Sequence, residues 1–463
     1  MELFKKKNSF DPEKIFYGFS SIFPKFLSIV FIPIILRLIT PSNWGKISIL
    51  LVVQQILIIV FNHGLSTNLF KNYTKELITR RAFLQSFVEI LVFYIFIASI
   101  FLIFDISSIF KLPNNPIIWM TSAALFQALN TVIKAISRIL ERPKLFLSIV
   151  FSEKVFIILF QFILVLREVL VIGYDSTGIA SSYFIGTFIG SGLVFLIFGF
   201  YIYLNLENKN INKEYIRTNK LLSAVTISTF SFFLISWFDR FVILELLDFN
   251  SLGIYSAYDS LARLLRISIE GFLFLYTAKI FKDKNDGELK IFRLRLTKLS
   301  FYFLILGILV SDLFIEIILL DSYSKYSDIV FPLGLSYFLL IYVSLFQNHM
   351  IVNEHYKKIV FVTFSSCILN IFFNFILVPT YGIYGAAYST LISVLIIALT
   401  YIYFSKYYIE MELKNYFYMF ITIFGLYLIY YSNDVYITVI KLLIFCFVSY
   451  KTLVEMKNFL LKT

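Results

Sequence analysis

Four ionisable side chains lie on one face of a predicted helix within an otherwise apolar stretch. They are Asp259, Arg263, Arg266 and Glu270, at positions i, i+4, i+7 and i+11, and a helix turns by about 100° per residue. Neighbouring guanidinium groups can donate paired hydrogen bonds to phosphate oxygens. The stripe therefore predicts a binding site for an anionic group. The alternative is structural, because each acid lies four residues from one of the arginines and the pairs can neutralise each other.

Three further charged residues lie deep in other apolar stretches. Lys25 is near the middle of the first stretch, and Asp239 and Arg240 are near the outer third of the seventh. An isolated charge in hydrocarbon costs several kcal/mol, so such residues usually face a cavity or a partner. Because adjacent helix residues point about 100° apart, we expect one of Asp239 and Arg240 to line the cavity. The other is expected to pair with a neighbouring helix, and a purely structural role for both is the alternative.

Several carboxylates at similar depth are candidates for ion coupling. A carboxylate in such a position can bind H⁺ or Na⁺ and couple its gradient to a conformational change. A polar contact between two helices is the alternative for each of them. The candidates are Glu89, Glu153 with the adjacent Lys154, Asp312 and Glu316.

Other chemistry finds little support in the sequence. The two cysteines lie inside apolar stretches and the three histidines are scattered, so we predict no disulfide framework and no metal site. A phosphate-binding glycine loop is absent from the sequence, which argues against ATP hydrolysis. The largest loops, 205–220 and 279–298, are too short to form a soluble catalytic domain. We therefore expect that the chain is not an enzyme, and that its only cofactor would be a coupling ion.

The elements that carry these residues are predicted to be transmembrane helices. The chain has 463 residues, of which 59% are hydrophobic and only 15% charged, whereas average proteins are about 25% charged. A helix needs about 20 apolar residues to cross a bilayer. The predicted spans are 15–38, 45–62, 83–104, 117–137, 145–166, 179–204, 221–247, 252–278, 299–320, 329–352, 359–378, 383–404, 416–431 and 435–450.

The positive charges predict the orientation of these spans. Of the 41 Lys and Arg residues, 29 fall in the tails and loops on one side and four in loops on the other. Basic loops stay in the cytoplasm, so both termini are predicted to be cytoplasmic. The weakly apolar span 252–278 must cross, since otherwise the later basic loops would lie outside. This topology also explains the net charge of +12, so we predict no nucleic-acid partner.

Two helix junctions recur along the chain at a nearly constant offset. RLITPSNWGKIS, with Gly45, resembles ELLDFNSLGIYS, with Gly253, 208 residues later, and YDSTGIASSY, with Gly178, resembles YGIYGAAYST, with Gly385, 207 residues later. Six spans separate related junctions, so both halves have the same orientation. The repeat predicts two pseudo-symmetric six-helix lobes around a central cavity.

The predicted domains follow from this repeat. The N-lobe, with helices 1–6, covers residues 1–204, and a cytoplasmic linker covers 205–220. The C-lobe, with helices 7–12, covers 221–410, and two further helices with a cytoplasmic tail cover 411–463. The fold class is therefore predicted to be an all-α integral membrane protein of about 14 transmembrane helices.

The same junctions resemble a known superfamily. RLITPSNWG at 37–45 resembles the end of the first helix in the multidrug/oligosaccharidyl-lipid/polysaccharide exporters. DRFVILELLDFNSLGIYSAYDSLARLL at 239–265 resembles the helix 7–8 junction of the polysaccharide-repeat flippases (Wzx-type), and NIFFNFILVPTYGIYGAAYSTLIS at 370–393 is similar to their helix 11–12 junction. The three motifs occur in order and at similar spacing.

This resemblance implies a flippase that works by alternating access. Its expected substrate is an undecaprenyl-pyrophosphate-linked oligosaccharide, moved across a bacterial plasma membrane for O-antigen, capsule or a similar glycan. Its other expected partners are membrane lipids and the polymerase and chain-length proteins of the same pathway. Lys25, Arg263 and Arg266 would bind the pyrophosphate in a cationic cavity. The alternatives are a cation-coupled drug antiporter of the same superfamily and, with less support from the short outer loops, a membrane glycan polymerase or polyprenol-dependent glycosyltransferase.

Overall fold

The structure of the chain is a computed structural model. It describes residues 31–404 except 64, 67–68, 70–77, 104–113, 173–175, 208–229, 283–285, 319–322, 324–325 and 354, together with 24, 27–28, 441, 444–452 and 454. The labelled helices are α1 (Pro41–Asn62), α2 (Arg80–Ile103), α3 (Asn114–Ile139), α4 (Pro143–Arg167), α5 (Ser176–Val194), α6 (Phe200–Asn205), α7 (Asp239–Leu246), α8 (Phe249–Lys282), α9 (Asp286–Ile318), α10 (Val330–Val352), α11 (Tyr356–Tyr381) and α12 (Ile383–Phe404).

The described residues form an all-helical structure, which confirms the predicted fold class. Residues 31–38 and 230–237 are also helical, and π-helical turns continue α4 and join α5 to α6. Eight helices in the described ranges are long and apolar enough to cross a membrane: α1, α2, α3, α4, α5 joined to α6, α10, α11 and α12. The total of fourteen spans stays a prediction, because 416–431 lies outside the described residues and 435–450 lies mostly outside them.

Local signals in the sequence explain where α1 begins and ends. Thr40 has extended backbone and its hydroxyl accepts a hydrogen bond from the backbone N–H of Asn43, while Pro41 occupies the first helical position. A capped start followed by proline is a strong signal for a helix N-terminus. At the other end the backbone of His63 turns to φ 29°, which terminates the helix.

The helices before residue 206 and those after residue 238 meet mainly along α1 and α8. In the first group, α5 packs on α3 and α4, and α3 packs on α1. In the second group, α8 packs on α10, α10 on α12, and α12 on α11. The α1–α8 contact therefore joins the two groups, and we call it the seam. The division into an N-lobe and a C-lobe stays a prediction.

Residues 208 positions apart contact each other across the seam. The hydroxyl oxygens of Ser48 and Ser256 are 2.6 Å apart. A Cβ atom at Gly45 would overlap the carbonyl oxygen of Phe249, and one at Gly253 would overlap that of Pro41. Such self-related contacts are typical of an interface on a two-fold axis. The recurrence of glycine in the sequence thus has a steric cause, since only glycine lets the two backbones approach this closely.

The second pair of recurring glycines also lies at close helix contacts. A Cβ atom at Gly178, in α5, would overlap the side chain of Glu168, which follows α4. One at Gly385, in α12, would overlap the backbone of Leu377 in α11. Both glycines therefore lie where a helix packs against the one that precedes it in the chain.

We predict that Gly45→Ala destabilises the protein while Gly192→Ala does not. The new methyl group at position 45 would overlap backbone atoms that cannot rotate away, whereas at position 192 it would make ordinary contacts of 3.6–3.7 Å with the Phe126 ring. Overpacking costs about 1–3 kcal/mol. Thermal unfolding of both purified variants in detergent measures the difference. Equal melting temperatures for the two variants would contradict the close seam.

Candidate functional site

The Asp259 carboxylate on α8 is the centre of a buried charge network. Its Oδ2 accepts hydrogen bonds from Arg240 at 2.5 Å and from Arg263 at 2.7 Å. Its Oδ1 accepts one from the Tyr337 hydroxyl on α10, also at 2.5 Å. The side chain of Asp259 is only 3% exposed, so these donors replace water as the groups that stabilise its charge.

A second carboxylate, Asp239, extends the network to the start of α7. Its Oδ1 accepts hydrogen bonds from the backbone N–H of Arg240, at 2.9 Å, and from the guanidinium of the same residue, at 3.3 Å. Its Oδ2 accepts one from the Tyr255 hydroxyl on α8. Arg240 also donates from Nε to the Ser48 hydroxyl on α1, at 3.3 Å. The network therefore reaches across the seam from α7 and α8 to α1.

Both arginines of the network also contact one indole ring. The guanidinium carbons of Arg240 and Arg263 lie 4.3 Å and 4.2 Å from the centre of the Trp237 ring. A cation this close to an indole face gains roughly 0.5–2 kcal/mol, with the larger values where water is excluded. Trp237 thus fixes the planes of both guanidinium groups.

The network contains two carboxylates and two guanidinium groups, so its formal charges balance. Asp239, Arg240 and Asp259 are almost fully buried. Arg263 differs, since 26% of its side chain is exposed. Arg266 lies close to one helical turn farther along α8 and is half-buried. The arrangement can hold one partly exposed arginine side chain in a fixed position, with a further arginine nearby.

Several sequence predictions change in the light of this geometry. Arg263 pairs with Asp259, which is the structural alternative for half of the stripe. Asp239 and Arg240 are both buried and each has partners on other helices, which agrees with the structural alternative. A cavity-lining role for one of them stays a prediction. Adjacent helix residues point about 100° apart, and both find partners because α8 supplies the Tyr255 hydroxyl to Asp239 and α1 supplies the Ser48 hydroxyl to Arg240. Lys25 and the side chain of Glu270 lie outside the described residues.

The candidates for ion coupling are spread over the described helices. Glu89 on α2 lies 3.4 Å from the His63 ring nitrogen, and Glu153 on α4 forms an ion pair with Lys134 on α3. Both are polar contacts between helices, the alternative considered for them. Lys154 is half-buried on α4. The side chains of Asp312 and Glu316 lie outside the described part of α9, and ion coupling stays a prediction for the whole set.

The residues that sequence reasoning missed are the neutral members of the network. Tyr337 and Tyr255 are two of 31 tyrosines, and Trp237 is one of three tryptophans. Composition does not separate them from lipid-facing aromatics. One signal was available, since Tyr255 lies four residues before Asp259 and therefore shares its helix face. Among the described residues, no group of three His, Cys, Asp or Glu side chains could hold a metal ion.

We predict that Asp259→Asn strongly destabilises the protein and that Asp248→Asn does not. Removal of the Asp259 charge would leave the buried Arg240 and the partly exposed Arg263 without their shared acceptor, and breaking a buried pair typically costs about 3–5 kcal/mol. Asp248 is exposed and accepts a hydrogen bond from the Ser251 backbone N–H at 2.6 Å, which asparagine can replace. Thermal unfolding in detergent compares them. A melting temperature for Asp259→Asn equal to that of the control would contradict the central role of this carboxylate.

Comparison with solved structures identifies the fold. The chain is similar to lipid II flippase MurJ in an inward closed conformation, with a TM-score of 0.67 and 15% identity over 96% of this chain and 98% of that one. It is also similar to a multidrug resistance MATE family transporter of the MOP superfamily in inward-facing and outward-facing conformations. These two comparisons give TM-scores of 0.57 and 0.55 and identities of 13% and 14%, over 85% of this chain and 94% of that one.

These likenesses show that the chain has the helical fold of the solved transporters. Its eight long apolar helices in the described ranges are those of a multi-pass membrane protein. A comparison with curated protein sequences finds no match. The family model described as "Polysaccharide biosynthesis protein" matches residues 13–275, which is more than half of the chain. The protein therefore belongs to the polysaccharide biosynthesis protein family, and it has the helical fold of the solved MurJ and MATE structures.

Proposed function

We propose that this protein moves undecaprenyl-pyrophosphate-linked oligosaccharides across a bacterial plasma membrane by alternating access. The observation that carries the proposal is the partly exposed side chain of Arg263, held by a buried carboxylate deep in a long helix of a membrane protein. Membership of a polysaccharide biosynthesis family supports a glycan as cargo, and the lipid-linked substrate in the name of the MurJ flippase supports a lipid carrier.

Arg263 and Arg266 are the groups that we expect to contact the pyrophosphate. A guanidinium can donate two parallel hydrogen bonds to phosphate oxygens, and charge-assisted bonds of this kind are the strong ones. Asp259 and Trp237 act as positioning residues, because they fix the plane of Arg263 before any substrate arrives. A phosphate oxygen that approaches the exposed edge of Arg263 competes with Asp259, while Asp259 keeps Arg240 and Tyr337 as donors.

No bond is made or broken in the proposed reaction. The pyrophosphate and the sugars pass through the protein, and the apolar prenyl chain stays in the lipid. If the positively charged loops are cytoplasmic, both termini lie inside and the Gly45–Gly253 contact lies toward the outer surface. In this orientation the seam closes the outer side of the path, and separation of α1 from α8 would open it.

We predict that the double variant Arg263→Gln/Arg266→Gln transports at least tenfold more slowly than the unchanged protein. Loss of two charge-assisted donors removes the strongest contacts to the pyrophosphate, and each is worth about 1.5–3 kcal/mol. Translocation of a fluorescent undecaprenyl-pyrophosphate-linked sugar in proteoliposomes measures the rate.

A charge-matched control separates this effect from a general loss of positive charge. Lys144 on α4 and Lys298 on α9 are both exposed, so Lys144→Gln/Lys298→Gln, which removes the same number of charges, should leave the transport rate unchanged. Unaltered transport by the double arginine variant would refute the proposed roles of Arg263 and Arg266. Proteoliposomes that export a cationic dye but no lipid-linked sugar would instead indicate the antiporter.

We also predict that cysteines at positions 48 and 256 lock the protein when they are oxidised. The two serine hydroxyls lie 2.6 Å apart, so cysteine sulfurs at these positions would be within bonding reach after a small shift. A copper–phenanthroline oxidant forms the disulfide, which holds α1 against α8. Transport should stop on oxidation and recover on reduction.

The natural cysteines must be replaced before this experiment, because a free thiol could form a different disulfide. Cys446 is exposed and Cys367 is buried. Cys367→Ala/Cys446→Ser therefore serves as the background, and the two single-cysteine variants serve as controls that should not respond to oxidant. Full transport by the cross-linked protein would show that the seam does not open during the cycle.

A further inference from the structure

Helix α3 carries a second polar stripe that the charge network does not include. Its members are Gln127, Thr131, Lys134 and Arg138, at i, i+4, i+7 and i+11, so they share one face. Between residues 127 and 137, the first three are the positions that are not buried. Polar side chains at such depth are expensive next to lipid, so an accessible polar face there borders a water-filled space.

Lys134 on this stripe is fixed in position by a buried carboxylate. Its ammonium group forms an ion pair with Glu153 on α4, and the lysine side chain is 24% exposed while that of the acid is 10% exposed. Glu153 also accepts a hydrogen bond from the Asn130 amide, at 2.9 Å, and the same amide donates to the Ser191 carbonyl on α5, at 3.0 Å. The carboxylate is therefore fixed by three helices and keeps the ammonium group in place.

This arrangement has the same design as the Asp259–Arg263 pair. In that pair the arginine is 26% exposed and the acid 3%. One partly exposed cation held by one buried acid therefore occurs on each side of the seam.

The two held cations lie at different depths. Ser48 and Ser256 mark one level in α1 and α8, and Arg263 lies seven residues beyond that level. Asn62, at the far end of α1, donates a hydrogen bond to Thr131 at 2.5 Å, which puts Lys134 beside the end of α1. Asn62 lies 14 residues beyond Ser48, and Lys134 lies three beyond Thr131, so Lys134 is about ten residues farther from the Gly45–Gly253 contact than Arg263 is. At a rise of about 1.5 Å per residue, this is roughly 15 Å.

We propose that Lys134 is an entry subsite that binds the pyrophosphate group before it reaches Arg263 and Arg266. The inference rests on the proposed function and on its orientation, in which the end of α1 at Asn62 faces the cytoplasm. The pyrophosphate would meet Lys134 first, near the inner leaflet, and then pass to the arginines deeper in the membrane. Lysine suits a transient contact, since its ammonium is a mobile point charge without the fixed fork of arginine.

Charge variants of the pair test this role through binding of geranylgeranyl pyrophosphate to the purified full chain in detergent. Glu153→Gln leaves the Lys134 cation without its competing acid, so affinity should rise about threefold or more. Lys134→Gln/Glu153→Gln removes the cation without leaving a buried charge unpaired, so affinity should fall about tenfold, the loss of roughly one charge-assisted bond. Lys144→Gln removes an exposed lysine at the start of α4; it is the control for loss of a lysine elsewhere and should bind as the unchanged protein does.

The outcomes separate this inference from the proposed function. If the double variant binds as tightly as the unchanged protein, or if Glu153→Gln weakens binding, Lys134 has only a structural role and the inference is overturned while the arginine site stands. If the unchanged protein does not bind the pyrophosphate at all, both proposals fail. A melting temperature recorded for each variant separates lost binding from lost folding.

Discussion

The structure depends on the requirement that a charge buried within a membrane helix must find a partner. Asp259 meets this requirement by accepting hydrogen bonds from Arg240, Arg263 and Tyr337, which come from α7, α8 and α10. Because unpaired burial of any of these charges would cost several kcal/mol, the network fixes the relative positions of the three helices. The same requirement leaves Arg263 oriented toward the one side where its guanidinium remains partly exposed.

The seam between α1 and α8 combines close packing with this charge network. The glycines bring the two backbones together, and the paired serines 208 residues apart add a polar contact between corresponding positions of the sequence repeat. Arg240 then reaches from α7 to Ser48 on α1. Small and hydroxyl side chains are the usual means by which membrane helices pack closely and yet can separate, because no large hydrophobic interface has to be broken.

Much of this architecture can be predicted from the sequence. Apolar length predicts the spans, and the recurring junctions point to Gly45 and Gly253, which prove to contact each other. Helical periodicity places Asp259 and Arg263 on one face, and the structure pairs them. The partners from other helices could not be predicted, since Tyr337 and Ser48 are chemically ordinary and their proximity depends on how distant spans pack. For the same reason the sequence could not show that both Asp239 and Arg240 are buried.

The pairing of each accessible cation with a buried acid has a functional consequence for a carrier. Free arginines in a medium of low dielectric constant would attract a pyrophosphate strongly, and a transport site must bind its ligand weakly enough to release it. In the proposed mechanism, Asp259 and Glu153 compete with the pyrophosphate for Arg263 and Lys134, so that each cation exchanges one anion for another rather than passing through an unpaired state. An internal acid thereby lowers both the affinity of the site for its anionic ligand and the energetic cost of leaving the site empty. A transporter whose empty binding site must reorient across the membrane would need both effects. Neutral ion pairs therefore suit an anionic cargo better than an open cationic cavity does.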